Sequence, residues 1–363
     1  MTHSNRRVRV AVDAMGGDRG PRVVVAGAAA AVRQQPDTLE VLLVGDEPQI
    51  WEALREVSPE PLPLYIAHAR DAVAMGEKAE RAFRRKRDSS IAVSADLVKQ
   101  GRADALVSMG NTGAVVTTSL LSMGRMRGIK RPAIASVVPT VTGNCVVLDV
   151  GANADCRPLH LYQFAQMGRI YAQLVLAKEH PRVGLLNIGE EPSKGNALTQ
   201  AAYQLMDQDR EALGFIGNVE GRDVFEGNAD VLVCDGFTGN VILKLIESIL
   251  SVGGQVIRRE VRAHLPAMAG ALLMRPAIRG IKSRINYEEY GGALLLGTRG
   301  VCVIGHGRSS PRAIQRAVEV AARTIRGNLE DAIVRVIEGS PATVTEGAPA
   351  TEDAPQWTDT PRA

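Results

Sequence analysis

The chain has 363 residues, of which 45% are hydrophobic, and its formal net charge is +3. This much apolar material can fill a large core and excludes a wholly disordered chain. The first residues are basic and lead directly into a predicted strand, and no apolar run reaches the about 20 residues of a membrane-spanning helix, so we expect a cytoplasmic protein without a signal peptide.

Short β-rich runs alternate with segments of helical periodicity along the chain. The predicted strands are, in chain order, RVRVAVD, EVLLVG, PLYIAHA, ADALVS, AIASVV, CVVLDVG, RVGLLNIG, DVLVCDG and VCVIGHG. Helical apolar spacing separates them, most clearly at residues 23–33, 91–99, 161–177 and 313–337. The alternation predicts an α/β fold, a doubly wound three-layer α/β/α sandwich around a mostly parallel sheet.

The domain organisation follows from a change in composition near the end of the chain. We expect one domain over residues 1–338, with a helical hairpin excursion near residues 245–285. Residues 339–363 are rich in Pro, Thr and Ala, are mainly acidic and have no periodic apolar face. This composition predicts a disordered tail.

Glycine-rich turns follow several predicted strands. Residues 104–115 (DALVSMGNTGAV) and 230–241 (DVLVCDGFTGNV) each combine a strand, a Gly-x-Thr-Gly turn and an apolar helix. Because glycine permits close approach of the backbone and a helix start exposes N–H groups, we expect two anion sites at the same edge of the sheet. The alternative is that Thr112 and Thr238 only cap their helices.

Two further strand ends carry charged side chains beside glycine. The turn AVDAMGGDRG (11–20) places two acids and three glycines after the first strand. Within residues 185–200, Lys194 stands beside a glycine where a strand leads to the next helix. A lysine at that position is suited to meet a phosphate or a developing oxyanion, and the alternative is a solvated surface charge.

The common nucleotide and metal motifs are missing from the sequence. No dinucleotide fingerprint or P-loop follows a strand. The cysteines stand apart from one another and from histidine at metal-ligand spacing. They are Cys145, Cys156, Cys234 and Cys302. We therefore expect buried reduced thiols, no metal, and an anion site without a nucleotide cofactor.

Several segments together resemble the bacterial phosphate acyltransferase family. The matching motifs are DAMGGD (13–18), SMGNTGA (108–114), LDVGANADCRPLHLYQFAQMG (148–168), LLNIGEEPSKGN (185–196), GNVEGRDVFEG (217–227), CDGFTGNV (234–241) and EYGGALLLG (289–297). They occur in order over residues 8–335. The resemblance implies a fold related to phosphotransacetylases and isocitrate dehydrogenases, and a homodimer without metal or other cofactor.

The resemblance also implies a reaction and its place in lipid synthesis. A long-chain fatty acyl group passes reversibly from the thioester of acyl carrier protein to inorganic phosphate. The product, an acyl phosphate, is then expected to serve phospholipid synthesis through an acyl-phosphate-using glycerol-3-phosphate acyltransferase, which is thus an expected downstream partner.

Phosphate is largely ionised near neutrality and needs no strong base, so the expected site positions the reactants and manages charge. On this basis Lys194 stabilises the oxyanion or holds phosphate, Asn153 is a neutral donor, and His306 is either a base or a residue satisfied by backbone. A nucleophilic Ser89 or Ser90 is disfavoured, because phosphate attacks directly. The expected substrate-binding residues are Asp13, Gly16, Gly17, Asp18, Asn111, Thr112, Gly113, Gly239 and Asn240, where the two aspartates orient bases or backbone.

A basic run, KAERAFRRKRDSS (78–90), is the expected docking surface for the acidic carrier protein. The expected contact residues are Arg81, Arg84, Arg85, Lys86 and Arg87. The alternative is an ordinary solvated helix. Nucleic acid is a disfavoured partner, because no aromatic residues interleave with the arginines.

A second basic segment, residues 257–287, encloses an apolar tip. The tip residues are Leu265, Met268, Leu272, Leu273 and Met274. Basic amphipathic segments joined by an apolar tip indicate peripheral contact with the inner face of the cell membrane. The alternative is a helical hairpin buried at a dimer interface.

Three other functions stay open on sequence alone. A phosphotransacetylase acting on coenzyme A thioesters would share the chemistry, and a membrane-bound adaptor would need no turnover. A dehydrogenase is disfavoured by the missing dinucleotide fingerprint. One departure from the family pattern is Met109, which stands where a small residue is usual and is expected to reshape the acyl-chain entrance.

Overall fold

The computed structural model describes residues 6–58, 60–278, 280 and 287–340. The predicted tail from residue 341 onward lies outside the described residues. So do residues 279 and 281–285 of the predicted hairpin and the side chain of Leu265.

Eleven strands form one sheet within the described residues. They are β1 (Val8–Asp13), β2 (Leu39–Gly45), β3 (Leu64–His68), β4 (Ala105–Ser108), β5 (Ala133–Thr140), β6 (Gly143–Leu148), β7 (Val183–Leu186), β8 (Phe215–Val219), β9 (Val231–Val233), β10 (Ala293–Leu296) and β11 (Val301–Ile304). Their order across the sheet is β3-β2-β1-β4-β11-β10-β5-β6-β9-β7-β8. All nine predicted strands are present, and β8 and β10 are two further strands that were not predicted.

Helices connect most of the strands. They are α1 (Pro21–Gln34), α2 (Glu47–Val57), α3 (Ala79–Arg85), α4 (Ser90–Lys99), α5 (Thr112–Ser122), α6 (Pro158–Leu174), α7 (Ala197–Gln208), α8 (Arg210–Leu213), α9 (Gly221–Glu226), α10 (Gly236–Ala263), α11 (Leu265–Leu273), α12 (Pro311–Arg326) and α13 (Leu329–Glu338). The segment 313–337, expected as one helix, is two, because Asn328 between α12 and α13 takes a left-handed conformation with φ 49°.

The sheet changes direction at its centre. Seven neighbouring strand pairs are parallel and three are antiparallel, so the sheet is mostly parallel, as predicted. The antiparallel pairs are consecutive: β11 with β10, β10 with β5, and β5 with β6. As a result β6, β9, β7 and β8 run opposite to β1, β2, β3, β4 and β11.

One row of paired residues crosses this sheet at the level where the strands end. It contains Val12, Val107 and Val303 of the first half, Leu294 and Ala135 at the centre, and Leu148, Val233 and Leu185 of the second half. Outside the centre, each of these is the last or last but one residue of its strand. The strands of the two halves therefore run in opposite directions, and their carboxyl ends lie at the same level along the sheet.

This register corrects the expected placement of the two Gly-x-Thr-Gly turns. They do not leave from the same edge, because β4 and β9 are antiparallel to each other across the reversed centre. The turns instead flank β10 and β5 from the two halves of the sheet.

Helices cover both faces of the sheet and give three layers. Successive strand residues pack into different cores: Val107 and Val303 belong to one cluster, and Leu106 and Cys302 belong to the other. Residues of α1, α6 and α12 cover the first face, and residues of α4, α5 and α10 cover the second. The structure thus has the predicted α/β/α layers.

Helix α10 is packed less closely than most of the other helices. Of its 28 residues only Gly236, Gly239 and Ile246 are buried. Among the described residues it is the one helix whose length and composition alone would allow it to cross a membrane. Its outward stripe consists of the exposed side chains Val241, Leu245, Ile249, Val252 and Val256, of which Ile249 also borders the cavity described below. Because these residues are three or four positions apart, they form one apolar face.

Candidate functional site

A cavity of about 960 Å³ lies at the centre of the sheet, between β5 and α10. Residues 134 and 136–139 of β5 line it, and the facing wall includes Leu243, Ile246, Leu250 and Ile257 of α10. This volume is at the upper end of ordinary small-molecule sites, about 300–1,000 Å³. The apolar lining and the size suit a long hydrocarbon chain.

The N-terminus of α5 supplies hydrogen-bond donors at the rim of this cavity. Thr112 and Gly113 both line the cavity, and the first N–H groups of a helix have no intrahelical acceptor. The positive end of the helix dipole adds to their attraction for an anion. Of the two predicted anion sites, this turn is the one with backbone donors at the cavity.

Asn111 holds that helix start in place. Its Oδ1 accepts from the backbone N–H of Ala114 at 3.0 Å, which makes it the N-cap of α5. Its Nδ2 donates to the carbonyl oxygens of Met75 at 2.7 Å and Glu77 at 2.9 Å. The structure therefore gives Asn111 a positioning contact instead of the predicted donation to phosphate, because both amide hydrogens have acceptors. The cap of α5 is Asn111 and not Thr112.

Asp13 organises the turn after β1. Its Oδ1 accepts from the backbone N–H groups of Met15 at 3.1 Å and Gly16 at 3.0 Å. The carboxyl is buried, and burial raises its pKa while the hydrogen bonds act in the opposite direction. Because Asp13 bonds to backbone and does not line the cavity, the structure places it as a positioning residue.

The turn after β1 packs closely against its neighbours. A Cβ at Gly16 would lie 2.6 Å from Oδ2 of Asp13, so a larger residue cannot fit there without a shift. A Cβ at Gly17 would lie 3.1 Å from the carbonyl oxygen of Gly307. The same oxygen accepts from the backbone N–H of Asp18 at 2.7 Å. These contacts join the turn to the loop that follows β11.

Asp149, which was not among the predicted site residues, has the corresponding role in the second half of the sheet. Its Oδ1 accepts from the backbone N–H groups of Ile134, Gly151 and Ala152 at 2.9–3.1 Å. Its Oδ2 accepts from the backbone N–H and from Nδ2 of Asn153, at 2.7 and 2.9 Å. Burial raises the pKa of this carboxyl, and these hydrogen bonds oppose the shift. The sequence indicates this role, because Asp149, like Asp13, stands at the end of a strand and is followed by a glycine turn.

Asn153, predicted as a catalytic donor, braces the same turn. Its Nδ2 donates to the carbonyl oxygen of Pro132 at 2.7 Å as well as to Asp149. Its own carbonyl oxygen accepts from the backbone N–H of Gly236 at 2.8 Å. The side-chain donors are therefore engaged within the protein, and the structure places Asn153 as a positioning residue.

The start of α10 is satisfied internally, unlike the start of α5. Asp235 caps the helix by accepting from the backbone N–H of Thr238 at 2.9 Å and from its hydroxyl at 2.7 Å. The N–H of Gly239 donates to the carbonyl oxygen of Asp235, and a Cβ at Gly239 would overlap the carbonyl oxygen of Asp149. Gly239 thus allows close packing and does not supply the predicted donor.

Besides Thr112, the predicted residues with polar side chains in the cavity lining are Asn240 and His306. Within the described part of the chain the amide of Asn240 has no hydrogen-bond partner, so it remains available to a ligand. Nδ1 of His306 accepts from the backbone N–H of Arg308 at 3.2 Å. A neutral imidazole in this arrangement carries its proton on Nε2 and can donate a hydrogen bond.

Lys194 lies in the exposed loop after β7 and is not part of the cavity lining. Its ammonium has no hydrogen bond or ion pair with any residue that the structure describes. Because β7 is two strands from β6, the ends of these strands are about 10 Å apart. Lys194 is therefore at the same edge of the sheet as the Asp149 turn but outside the cavity.

The two serines that were disfavoured as nucleophiles, and the buried thiols of Cys145 and Cys302, are set apart from the cavity. Ser89 and Ser90 are buried at the start of α4 and do not line it. Burial raises the pKa of Cys145 and of Cys302 to about 12, so both thiols stay protonated near neutrality. Among the described residues, no group of three or more His, Cys, Asp or Glu side chains is arranged to hold a metal ion.

The basic residues of α3 and the turn after it lie beside the start of α5. The hydrogen bonds from Asn111 to the carbonyl oxygens of Met75 and Glu77 join the loop before α3 to the start of α5. The two helices are also close, since a Cβ at Gly113 would lie 3.6 Å from Cβ of Ala79. The exposed cations are Arg81, Arg84, Arg85 and Arg87. Lys86 differs, because its Nζ bonds Glu77 at 2.8 Å and the carbonyl oxygen of Ala72 at 2.8 Å.

The predicted apolar tip falls on α11 and the residue after it. Met268, Leu272, Leu273 and Met274 are 47%, 69%, 84% and 57% exposed. Such a continuous exposed apolar patch is typical of a contact surface.

Comparison with known proteins places this architecture in a family. A family model described as a fatty acid synthesis protein matches residues 8–331. A phosphate acyltransferase from Heliobacterium modesticaldum is 49% identical over 334 residues, which are 92% of this chain and 98% of the relative. Another from Gloeothece citriformis is 47% identical over 332 residues, covering 91% of this chain and 93% of the relative. The chain belongs to the phosphate acyltransferase family.

Solved structures agree with that placement at the level of the fold. A phosphotransacetylase from Streptococcus pyogenes superposes with a TM-score of 0.60 at 17% identity, covering 88% of this chain and 94% of the other. A phosphotransacetylase from Staphylococcus aureus gives a TM-score of 0.58 at 16% identity, covering 89% and 95%. The membership makes the chain an acyltransferase enzyme, as the sequence motifs predict.

Proposed function

We propose that the chain transfers a long-chain fatty acyl group from the thioester of acyl carrier protein to inorganic phosphate. The observation that carries this proposal is the 960 Å³ apolar cavity with backbone donors of α5 at its rim. An apolar cavity accommodates the acyl chain, and the donors accommodate an anion. The names of the relatives support phosphate as the acceptor.

The proposed reaction needs no covalent intermediate on the enzyme. An oxygen of hydrogen phosphate forms a bond to the thioester carbonyl carbon, the carbon–sulfur bond breaks, and the phosphate proton ends on the departing thiol. The products are an acyl phosphate and free carrier protein. Each step is reversible, because an acyl phosphate is itself an activated acyl donor.

The residues at the rim divide this work between them. The N–H groups of Thr112 and Gly113 hold phosphate, while the Asn240 amide and Nε2–H of His306 donate to the carbonyl oxygen as charge develops on it. Lys194 supplies positive charge from the loop after β7, in the second half of the sheet. The turns that place these groups are held by Asp13 and by the pairing of Asp149 with Asn153, which the reactants do not touch.

The basic surface beside α5 supports a carrier protein as the acyl donor. An acidic partner bound at Arg81, Arg84, Arg85 and Arg87 would deliver its thioester next to the rim of the cavity. Such an attraction raises the association rate and weakens with salt. Lys86 contributes less to this surface, because it is already paired with Glu77.

The remaining surfaces support a peripheral homodimer. The outward stripe of α10 is a suitable contact for a second copy of the chain, and the apolar tip on α11 is a suitable contact for the inner face of the cell membrane. A cytoplasmic enzyme attached there would release its acyl phosphate to a glycerol-3-phosphate acyltransferase in the same membrane. Light scattering of wild type and Leu245→Glu tests the dimer, because a charge in the stripe is expected to give monomers.

Hydroxylamine trapping tests the reaction itself. The purified chain is mixed with palmitoyl carrier protein, with or without inorganic phosphate, and hydroxamate is measured beside a Lys194→Ala variant. Phosphate-dependent hydroxamate from the wild type and a smaller yield from the variant are expected, because Lys194 acts only through its charge at a distance. No hydroxamate from the folded wild type in the presence of lipid vesicles would contradict the proposal and favour a non-catalytic adaptor. Faster turnover of palmitoyl coenzyme A than of the carrier-protein donor would instead favour a coenzyme A phosphotransacetylase.

A further inference from the structure

The inner face of α10 contains two consecutive glycines, Gly253 and Gly254, in the row that lines the cavity. Residues 243, 246 and 250 precede them on this face and residue 257 follows, at helical spacing of three or four. Glycine in a helix interior costs about 1 kcal/mol relative to alanine. Two in succession, between Leu250 and Ile257 of the cavity wall, need a structural reason.

Neither close packing nor backbone conformation requires these glycines. A Cβ at either position would meet no atom within 4 Å, and both residues have ordinary helical geometry. Gly168 shows the contrasting case, since a Cβ there would lie 2.6 Å from Cγ1 of Val231. What Gly253 and Gly254 provide is open space at the cavity wall.

The position of the pair along α10 relates to the length of the cavity. Asn240, at the rim, and Gly254 are fourteen residues apart on one helix, which is about 21 Å. A fully extended chain advances about 1.2 Å per backbone atom. An acyl chain that starts at the rim and follows α10 therefore reaches the glycine pair with roughly 16 to 18 carbons.

We infer that Gly253 and Gly254 determine the upper limit of acyl-chain length by keeping the far end of the cavity open. The inference rests on the proposed function, because it takes the cavity as the site of the acyl chain. A side chain at either position would fill the wall where a long chain ends and would leave the space used by a short chain unchanged.

The test compares Gly254→Leu with wild type on octanoyl, dodecanoyl, palmitoyl and stearoyl carrier protein. In a hydrophobic pocket the loss of space for a methylene changes kcat/KM by about 10- to 200-fold. We expect the palmitoyl-to-octanoyl ratio of kcat/KM to fall by at least about 10-fold. The matched control is Val252→Leu, which places the same side chain on the outward face two residues away and is expected to leave the ratio unchanged.

Two results would overturn the inference. An unchanged ratio in Gly254→Leu would show that the wall at this position does not limit the chain. A uniform loss with all four donors in the Gly253→Ala, Gly254→Ala double variant would show that the pair acts as a hinge, because alanine stiffens the helix and fills little space. Failure of the proposed function is distinct, since the wild type would then turn over none of the donors.

Discussion

Ser108 donates a hydrogen bond from its hydroxyl to Oδ2 of Asp13, across 2.7 Å between the ends of two neighbouring strands. Both residues are buried, and the same hydroxyl oxygen accepts from the backbone N–H of Gly110 at 3.1 Å. These bonds join the turn after β1 to the turn that leads into α5. The donors at the rim of the cavity are thus positioned by side chains outside the cavity.

Replacing Ser108 with alanine is expected to disturb this arrangement. The change leaves the Gly110 N–H and one oxygen of Asp13 without their buried partner, so the free energy of unfolding should fall by about 1–3 kcal/mol. We expect kcat/KM for acyl phosphate formation to fall as well. Ser94→Ala is the matched control, because the Ser94 hydroxyl is equally buried and bonds the carbonyl oxygen of Ser90 within α4 at 2.7 Å. Urea unfolding measures the stability of the two variants, and the hydroxamate assay measures their activity. An equal loss of activity in both variants would contradict a positioning role for Ser108.

Asp149→Asn tests the turn of the second half. In wild type the Asp149 carboxylate accepts hydrogen bonds from several backbone N–H groups. The amide of asparagine presents its own hydrogens to some of these groups, and each lost hydrogen bond to the charged carboxylate costs about 1.5–3 kcal/mol. Because the Gly151 turn lines the cavity beside Asn240, displacement by about 1 Å is expected to lower kcat by up to about 100-fold. The measurement is single-turnover kinetics on the variant, after circular dichroism has shown that the variant is folded. A folded variant with wild-type kcat would refute a positioning role.

Asp230 provides a pH-dependent contribution to stability away from the cavity. Burial raises its pKa, but hydrogen bonds from Arg182 and Lys178 together outweigh burial, and the pKa lies below the ordinary value of 3.8. The folded state therefore favours the carboxylate, and this stabilisation is present above pH 3.8 and is lost as the pH falls through the lower pKa. Asp230→Asn should be less stable than wild type near neutrality, and the two should converge in acid. Urea unfolding from neutral to acidic pH measures the stability of both proteins. A stability difference between them that grows in acid would contradict the prediction.

Arg84→Glu tests the docking surface. Reversing one charge beside the cavity rim should raise KM for acyl carrier protein by roughly 10-fold at low salt, and added salt should reduce the difference. Turnover of palmitoyl pantetheine, a donor without acidic groups, is expected to stay unchanged, because it has no negative charge for Arg84 to attract. Arg55→Glu on α2 is the control for a change in net charge. An equal rise in KM from Arg55→Glu would mean that only the overall charge matters.

Local pattern was sufficient to predict nine strands and the layered fold, but it did not reveal the reversal of the sheet. That reversal depends on the pairing of Leu294 with Ala135, which are far apart in sequence, and nothing in either segment encodes its partner. The short run of β10 follows two glycines, and β8 contains Gly217 and Asn218, so neither carried a clear strand signal.

The candidate site was predictable in its residue types more than in their roles. The strand-end turns were expected to hold polar groups, and the structure places such groups there. Asn111 and Asn153 nevertheless bond to carbonyl oxygens of segments distant in sequence, so their side chains could not be assigned as braces from the turns alone. Asp149 could have been recognised from its likeness to Asp13.

The continuous sheet restricts how a substrate can enter. Because β10 and β5 bond both halves into one sheet, the two halves cannot swing apart as separate lobes without breaking backbone hydrogen bonds. The floor of the cavity is therefore the rigid side, and α10, with only three buried residues, is the side that can yield. On the proposed function, the acyl chain enters beneath this helix and not between the two halves of the sheet.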